Sequence, residues 1–146
     1  MSDLTFKKIE DANVGDSFDW ETVKNIVKFD KDGLIPAIAQ QYDTKEVLMM
    51  AWMNDKSIQE TMETGRVCYW SRSRQNYWRK GEESGQIQVL KSLAFDCDGD
   101  AILLQVDQTG PACHTGRRSC FYAQLEGEKI TITSEPLISP EELYKK

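Results

Sequence analysis

The segment of residues 95–120, FDCDGDAILLQVDQTGPACHTGRRSC, holds three of the four cysteines and the only histidine of the chain. Residues 101–107 form an apolar run that predicts a strand, and polar residues with possible metal-binding side chains flank this run on both sides. Carboxylates bind hard cations, whereas thiolates bind softer metals such as zinc. The segment therefore predicts metal chemistry as well as a central strand. Its candidate ligands are Asp96, Asp98 and Asp100, together with Cys97, Cys113, His114 and Cys120.

The spacing of the three aspartates predicts a strand in which they share one face. With a rise of roughly 3.3 Å per residue, the first and third carboxylates would lie about 13 Å apart, too far for one small cation. Either a bend at Gly99 brings them together, or two of them bind Mg²⁺ or Ca²⁺ directly while the third acts through water. Ala101 and Asp107 stand where a calcium-binding loop needs glycine and glutamate, which excludes that motif. A solvated acidic face is the remaining alternative.

The cysteines of this segment lack the C-x₂-C spacing of structural zinc sites. Three thiolates leave zinc one position short of a tetrahedron, and an open position that holds water is typical of catalytic zinc. His114 either fills that position or transfers protons beside it, and we expect proton transfer because it is adjacent to Cys113. The N-terminal residues MSDLTFKK do not resemble a signal peptide, so we expect a reducing cytoplasm and no disulfides. Cys68 is interpreted as a packed core thiol.

A second group of polar and aromatic residues lies in residues 69–85, YWSRSRQNYWRKGEESG. It is basic, although the net charge of the chain is −6. Arginine suits phosphate oxygens, and tryptophan stacks on bases. A pI near 4.9 argues against a nucleic-acid-binding protein and favours a small phosphorylated ligand, with a solvated basic loop as the alternative. The candidate substrate- and phosphate-binding residues are Trp70, Ser71, Arg72, Ser73, Arg74, Trp78, Lys80, Gly81 and Ser84.

Six motifs of the chain resemble those of the phosphoribosyl-AMP cyclohydrolases, the third-step enzymes of histidine biosynthesis. They are PAIAQ, EVLMMAWMN, YWSRSR, WRKGEESGQ, DCDGD and GPACHTGRRSCF, and they lie in this order within residues 34–122. The resemblance implies hydrolytic opening of the N1–C6 bond in the adenine ring of 1-(5-phosphoribosyl)-AMP. It also implies a water activated by zinc with assistance from magnesium, and one Zn²⁺ and one Mg²⁺ per subunit. The implied assembly is a homodimer, and neither nucleic acid nor a membrane is expected as a partner.

The resemblance assigns roles to individual residues. From the residues themselves we expect His114 to transfer protons, and we count Arg117 among the substrate- and phosphate-binding residues. Glu83 departs from the pattern, because the family usually has threonine there, and a carboxylate would repel phosphate unless it turned outward. The implied magnesium ligands are Asp96, Asp98 and Asp100, and the implied zinc ligands, in a site shared between subunits, are Cys97, Cys113 and Cys120.

The remaining sequence predicts one domain over residues 1–146. Residues 1–18 form a polar arm, residues 19–125 the catalytic core, and residues 126–146 a hairpin strand and a short helix. Asn54 predicts the N-cap of a helix that ends before Gly65 and packs through Ile58 and Met62. Strands are predicted near residues 36–42, 46–53, 66–71, 87–95, 101–107, 119–125 and 129–133. The predicted fold is α+β but mostly β: an antiparallel or mixed sheet, or a pseudo-barrel, capped by one or two helices in an intertwined homodimer.

Two other classes of function compete with this prediction. A zinc-stabilised binding module would use the cysteines to close a dimer and residues 69–74 to bind a nucleotide. A nucleoside deaminase is disfavoured, because the H-x-E motif of the zinc deaminases is absent: Thr115 and Gly116 follow His114. Turnover of phosphoribosyl-AMP separates an enzyme from a binding module.

Overall fold

The computed structural model describes residues 4–143, without the side chain of residue 143, so the ends of the predicted arm and of the predicted C-terminal helix lie outside the described residues. The chain is mostly β, as predicted. The helices are α1 (Phe6–Glu10), α2 (Trp20–Val23), α3 (Asp55–Thr64) and α4 (Pro140–Leu143). The strands are β1 (Ile35–Gln41), β2 (Val47–Met53), β3 (Cys68–Ser71), β4 (Asn76–Arg79), β5 (Gln88–Phe95), β6 (Ile102–Gln108), β7 (Ala123–Glu126) and β8 (Lys129–Ile132).

Six strands form one curled sheet, a half-barrel in the order β4-β3-β2-β1-β6-β5. Neighbouring strands are antiparallel except β1 and β6, which run parallel. The sheet is therefore mixed, and the long connection from β1 to β6 carries β2, α3, β3, β4 and β5. Strands β7 and β8 form a separate two-stranded hairpin. No helix within residues 4–143 is long and apolar enough to span a membrane.

The core lies on one face of the sheet because burial alternates along the central strands. In β6, the buried residues Ile102, Leu104 and Val106 alternate with more exposed ones. Strand β1 has the same pattern, and its buried Ala37 and Ala39 are register partners of Ile102 and Leu104. This period of two is what a sheet with one covered face requires.

Helix α3 covers this face next to β2 and β3. Its start is as predicted, with a capping box in which the Asn54 side chain accepts from the Ser57 amide at 2.8 Å and Ser57 Oγ accepts from the Asn54 amide at 2.9 Å. Gly65 ends the helix in the left-handed conformation, also as predicted. The packing prediction was half wrong: Ile58 is buried, but Met62 is 60% exposed, and the second inward residue is Thr61.

Two further predictions differ from the structure. Residues 96–101 do not extend a strand but form the turn between β5 and β6. Residues 76–79, interpreted as part of a basic loop, form strand β4, which pairs with β3 and buries the Trp78 ring against Tyr69 at 5.5 Å between centroids. Near the N-terminus, the Phe6 and Trp20 rings pack on Phe95 at 6.3 and 5.7 Å between centroids.

Candidate active site

A cavity of about 680 Å³ lies beside β2 and β4 and the loop that follows β6. It brings together residues from the two sequence segments that carry the candidate chemistry. Its walls combine thiols, the histidine, cationic groups, a hydroxyl and an indole ring. The predicted site residues that line it are Arg74, Trp78, Lys80, Gly81, Ser84, Cys113, His114 and Cys120.

Cys113 and Cys120 form a thiol pair at one side of this cavity. The pKa of the Cys120 thiol is raised to about 12, first by burial and then by the neighbouring Cys113. Cys113 is buried and accepts a hydrogen bond from Thr115 Oγ1 at 3.1 Å. Two neighbouring thiols at a cavity wall are a donor set that a soft cation would bind as thiolates. The pair therefore fits part of a zinc site.

Local backbone bonds hold the loop that carries the pair. The Cys113 amide donates to the Arg117 carbonyl at 3.1 Å, and the Gly116 amide donates to the Cys113 carbonyl at 3.0 Å. Gly116 adopts φ +87, which favours glycine in this tight turn. The Cys120 amide donates to the Leu48 carbonyl at 2.7 Å, which anchors the second cysteine to β2.

The third predicted zinc ligand lies elsewhere. Cys97 borders a different cavity of about 550 Å³, together with Phe6, Lys28 and Asp98. It precedes β6, whereas the thiol pair follows β6, and a strand of seven residues spans roughly 20 Å. Within residues 4–143 of one chain, no three His, Cys, Asp or Glu side chains are grouped as a metal site.

The three aspartates occupy a tight turn, which corrects the predicted single-faced strand. Asp96 Oδ1 accepts from the backbone amides of Asp98 and Asp100 at 3.2 and 3.1 Å. These bonds, first the one from Asp100, lower the pKa of the Asp96 carboxyl. A hydrogen bond from Asp100 to Asp96 raises the pKa of Asp100, so the first and third carboxylates meet rather than lie 13 Å apart. Gly99, with φ +71, provides the bend that the sequence suggested.

The cationic side of the cavity is formed by Lys80 and Arg74. Lys80 is only 8% exposed and donates to the Gln86 carbonyl at 3.3 Å. Burial lowers the pKa of its ammonium group, and the nearby thiols of Cys120 and Cys113 oppose this effect. Arg79 also borders the cavity, but Glu60 engages it through two bonds of 2.8 Å.

Several predicted substrate-binding residues do not line this cavity. Trp70 contacts Tyr77, which does line the cavity, and Arg72 lies 4.5 Å from the centroid of the Trp52 ring. Ser71 and Ser73 are hydrogen-bonded to each other at 3.4 Å. Arg117 donates to the Ser134 carbonyl at 2.8 Å and lies over the Tyr122 ring, away from the cavity. Glu83, left out of the predicted site, borders it.

The sequence interpretation missed a group of buried polar side chains that contact the thiol loop, which is the loop after β6 that carries Cys113 and Cys120. Arg118 donates to the carbonyls of Gln108 and Gly110 at 2.9 and 2.6 Å and to Gln41 Oε1 at 2.9 Å. Gln41 and Gln108 are 4% exposed, and Gln88 is fully buried. The available signal was three glutamines at strand positions where the alternation places apolar residues.

Comparison with known proteins identifies the family. The family model described as phosphoribosyl-AMP cyclohydrolase matches residues 49–122. A phosphoribosyl-AMP cyclohydrolase of Hydrogenovibrio crunogenus is 73% identical over 98% of this chain and 97% of its own length. The corresponding protein of Halorhodospira halophila is 58% identical over 92% of this chain and 95% of its own length. The chain is therefore an enzyme of the phosphoribosyl-AMP cyclohydrolase family.

Proposed function

We propose that this enzyme opens the adenine ring of phosphoribosyl-AMP by hydrolysis of the N1–C6 bond, as a step of histidine biosynthesis in the cytoplasm. The observation that carries the proposal is the cavity that unites the thiol pair, His114 and the cations Arg74 and Lys80. Its volume of about 680 Å³ is within the range of small-molecule sites. The names of the relatives support the reaction.

The cavity suits the charges of this substrate. The substrate has two phosphate groups, and a ribosyl group on N1 makes the purine cationic and C6 electrophilic. Arg74, Lys80 and the Ser84 hydroxyl supply donors for phosphate oxygens, with Gly81 allowing close backbone approach. The Trp78 ring offers a surface on which the purine can stack. Arg74 is exposed and thus accessible to a phosphate, whereas the Lys80 ammonium lies deeper in the wall.

The thiol pair would hold zinc together with Cys97 of a second copy of the chain, since the chain's own Cys97 lies beyond the opposite end of β6. Zinc held there would supply the Lewis acidity that makes water a better nucleophile at neutral pH. Asp96, Asp98 and Asp100 would hold magnesium, because their turn gathers carboxylates at an exposed site. Oxygen ligands in this arrangement suit a hard cation better than zinc.

His114 is assigned to proton transfer. It is exposed at the cavity wall next to the thiol pair, where it can reach the water and the substrate. It accepts a proton from the water whose oxygen joins C6 and delivers a proton to N1 as the N1–C6 bond breaks. One water is consumed, the oxygen remains on C6 as a carboxamide, and no ammonia leaves.

A homodimer would complete the site. The face of the sheet opposite the core is apolar at Ile38, Met50 and Leu103, which are register neighbours across three strands and about 40% exposed. The β7–β8 hairpin presents Leu125, Ile130 and Ile132, again without cover from the rest of the described chain. Uncovered apolar faces of this kind favour association with a second copy.

The proposal is tested by the ultraviolet absorbance of phosphoribosyl-AMP during incubation with the purified, zinc-loaded enzyme. Ring opening changes the chromophore continuously, whereas a binding module leaves it intact. AMP, which lacks the N1 ribosyl group, is the matched control and should not change. An unchanged spectrum of phosphoribosyl-AMP, or release of ammonia in step with the change, would contradict the proposal.

A further inference from the structure

The loop between β6 and Cys120 is tied across its base by the side chain of Arg118. We propose that Arg118 is a positioning residue, which fixes the separation of Cys113 and Cys120 without contacting the substrate. This inference rests on the proposed function only in assuming that the two thiols bind zinc. Arg118 is not among the described residues that line the cavity, so it acts through the loop.

The guanidinium of Arg118 joins both ends of the loop. Its Nη1 donates to the carbonyls of Gln108, the last residue of β6, and of Gly110. Its Nη2 donates to the side chain of Gln41 at the end of β1, and its Nε donates to Glu46 at 3.4 Å. Residue 118 is thereby held against the start of its own loop and against two points outside it.

The backbone closes the same ring around Cys113. The Ala112 amide donates to the Arg118 carbonyl at 3.0 Å, next to the Cys113–Arg117 bond. Cys113 thus lies in a segment whose two arms are joined by backbone bonds and by the Arg118 side chain. Cys120 follows Arg118 by two residues, so a shift of Arg118 moves one thiol relative to the other.

The Gln41 side chain that accepts from Arg118 belongs to a network of buried polar side chains. Gln41 Oε1 accepts from Arg118 and also from the Gln108 amide at 2.9 Å. Gln108 Oε1 accepts from Gln88 at 2.8 Å, and Gln88 in turn accepts from the Tyr69 hydroxyl at 2.7 Å. Such a network gives a unique geometry only when all its polar groups are satisfied, because an unpaired buried group is costly. Where this network meets the thiol loop, the Arg118 guanidinium is the donor to Gln41 Oε1.

Lysine cannot replace this arginine. The planar guanidinium reaches the two carbonyls and the Gln41 oxygen simultaneously from fixed directions, whereas a lysine ammonium is a point charge on a flexible stem. Arg118→Lys therefore keeps the positive charge near Glu46 but removes the fork. A change of zinc binding in this variant would therefore report the lost hydrogen-bond geometry and not a lost positive charge.

The test compares Arg118→Lys with Arg66→Lys, the same exchange at an exposed arginine outside the cavity. Three quantities are measured: the zinc dissociation constant by chelator competition, the thiolate-to-metal absorption of the cobalt(II) protein, and the rate at which Cys113 reacts with a thiol reagent in metal-free protein. Loss of an outer partner of a metal site typically weakens metal binding about 10–100-fold, and we expect a loss in this range for Arg118→Lys alone. We also expect a changed cobalt spectrum and faster modification of Cys113.

A second variant, Gln41→Met, removes the side-chain oxygen that accepts from Arg118. It should change the same three quantities in the same direction, so the test remains valid if Arg118→Lys folds poorly. Unchanged zinc affinity, cobalt spectrum and thiol reactivity in a folded Arg118→Lys protein would overturn the inference. So would equal changes in Arg66→Lys. Failure of the proposed function looks different: the wild-type enzyme would not consume phosphoribosyl-AMP, while the thiol measurement would still report on Arg118.

Discussion

The thiol loop after β6 and the aspartate turn before it flank the same strand, yet they are held in different ways. The side-chain bonds of the turn are local, because Asp96 caps the amides of Asp98 and Asp100, and one distant bond runs from the Lys28 amide to the Gly99 carbonyl. The loop adds side-chain and backbone bonds to distant strands to its local bonds: Leu48 anchors Cys120, and Gln41 anchors Arg118. The turn is exposed, whereas the loop borders the main cavity.

One chain therefore carries two separate groups of candidate metal ligands, one on each side of β6. Strand β6 keeps them apart by roughly 20 Å, and bending a central, hydrogen-bonded strand to join them would break its pairing with β1 and β5. A second chain is the simplest way to bring Cys97 to Cys113 and Cys120.

The largest effect is expected in the loop. Cys113→Ser should lose zinc and reduce turnover of phosphoribosyl-AMP below detection, because an alcohol is a poor replacement for a thiolate on zinc. Cys68→Ser is the matched control, since Cys68 is fully buried at the start of β3, and this variant should keep zinc and activity in its folded fraction. Metal analysis and absorbance assays check both variants. Zinc loss in Cys68→Ser but not in Cys113→Ser would reverse the assignment.

His114→Asn should lower kcat by about 10²–10⁴-fold, the usual contribution of general acid–base catalysis. Zinc content and the elution volume in size-exclusion chromatography should stay those of the wild type, because the thiol pair does not depend on this exposed side chain. A zinc loss that parallels the loss of kcat would make His114 a ligand instead.

In the turn, Asp98→Asn should raise the magnesium concentration needed for half-maximal activity by about tenfold, since magnesium affinity depends on ligand charge. The Asp98 carboxylate makes no hydrogen bond within the described turn, so the backbone should keep its shape. Asp96→Asn is the contrasting variant, because its side chain also caps the turn. Equal magnesium dependence in wild type and Asp98→Asn would remove Asp98 from the site.

The smallest effect concerns the thiol that belongs to neither region. Burial raises the pKa of Cys68 to about 12 from an ordinary value of 9.0. The neutral thiol therefore favours the fold fully below pH 9, and this contribution is lost as the pH rises from 9.0 towards 12, because only the unfolded chain ionises at first. Between pH 8.5 and 10, the free energy of unfolding should fall by about 1 kcal/mol more in the wild type than in Cys68→Ala. Parallel curves from denaturant titrations would contradict this.

The contrast between the two regions also explains what could be predicted from sequence. Helix α3 was predicted at both ends because its signals, Asn54 and Gly65, are local. The ligand types were evident from residue chemistry alone. The aspartate turn was mistaken for a strand because alternation does not reveal that Asp96 can cap two amides once Gly99 takes a positive φ.

The missed features depend on contacts between distant parts of the chain. Strand β4, NYWR, lies within a basic segment and is a strand because it pairs with β3. The tie between Arg118 and Gln41 joins residues 77 positions apart, a pairing that no local pattern encodes. Cys97 and the thiol pair are separated because the seven residues of β6 lie between them, and they border different cavities.

The central claim, that two chains complete one site, is tested most directly by mixing two inactive variants. Cys97→Ser and Cys113→Ser are unfolded together, refolded with zinc and assayed, and the formation of heterodimers is verified with distinguishable tags. Each heterodimer should have one site with both lesions and one intact site, so an equal mixture should recover about a quarter of wild-type activity. Each variant refolded alone should stay inactive. Verified heterodimers without any recovered activity would contradict the shared site.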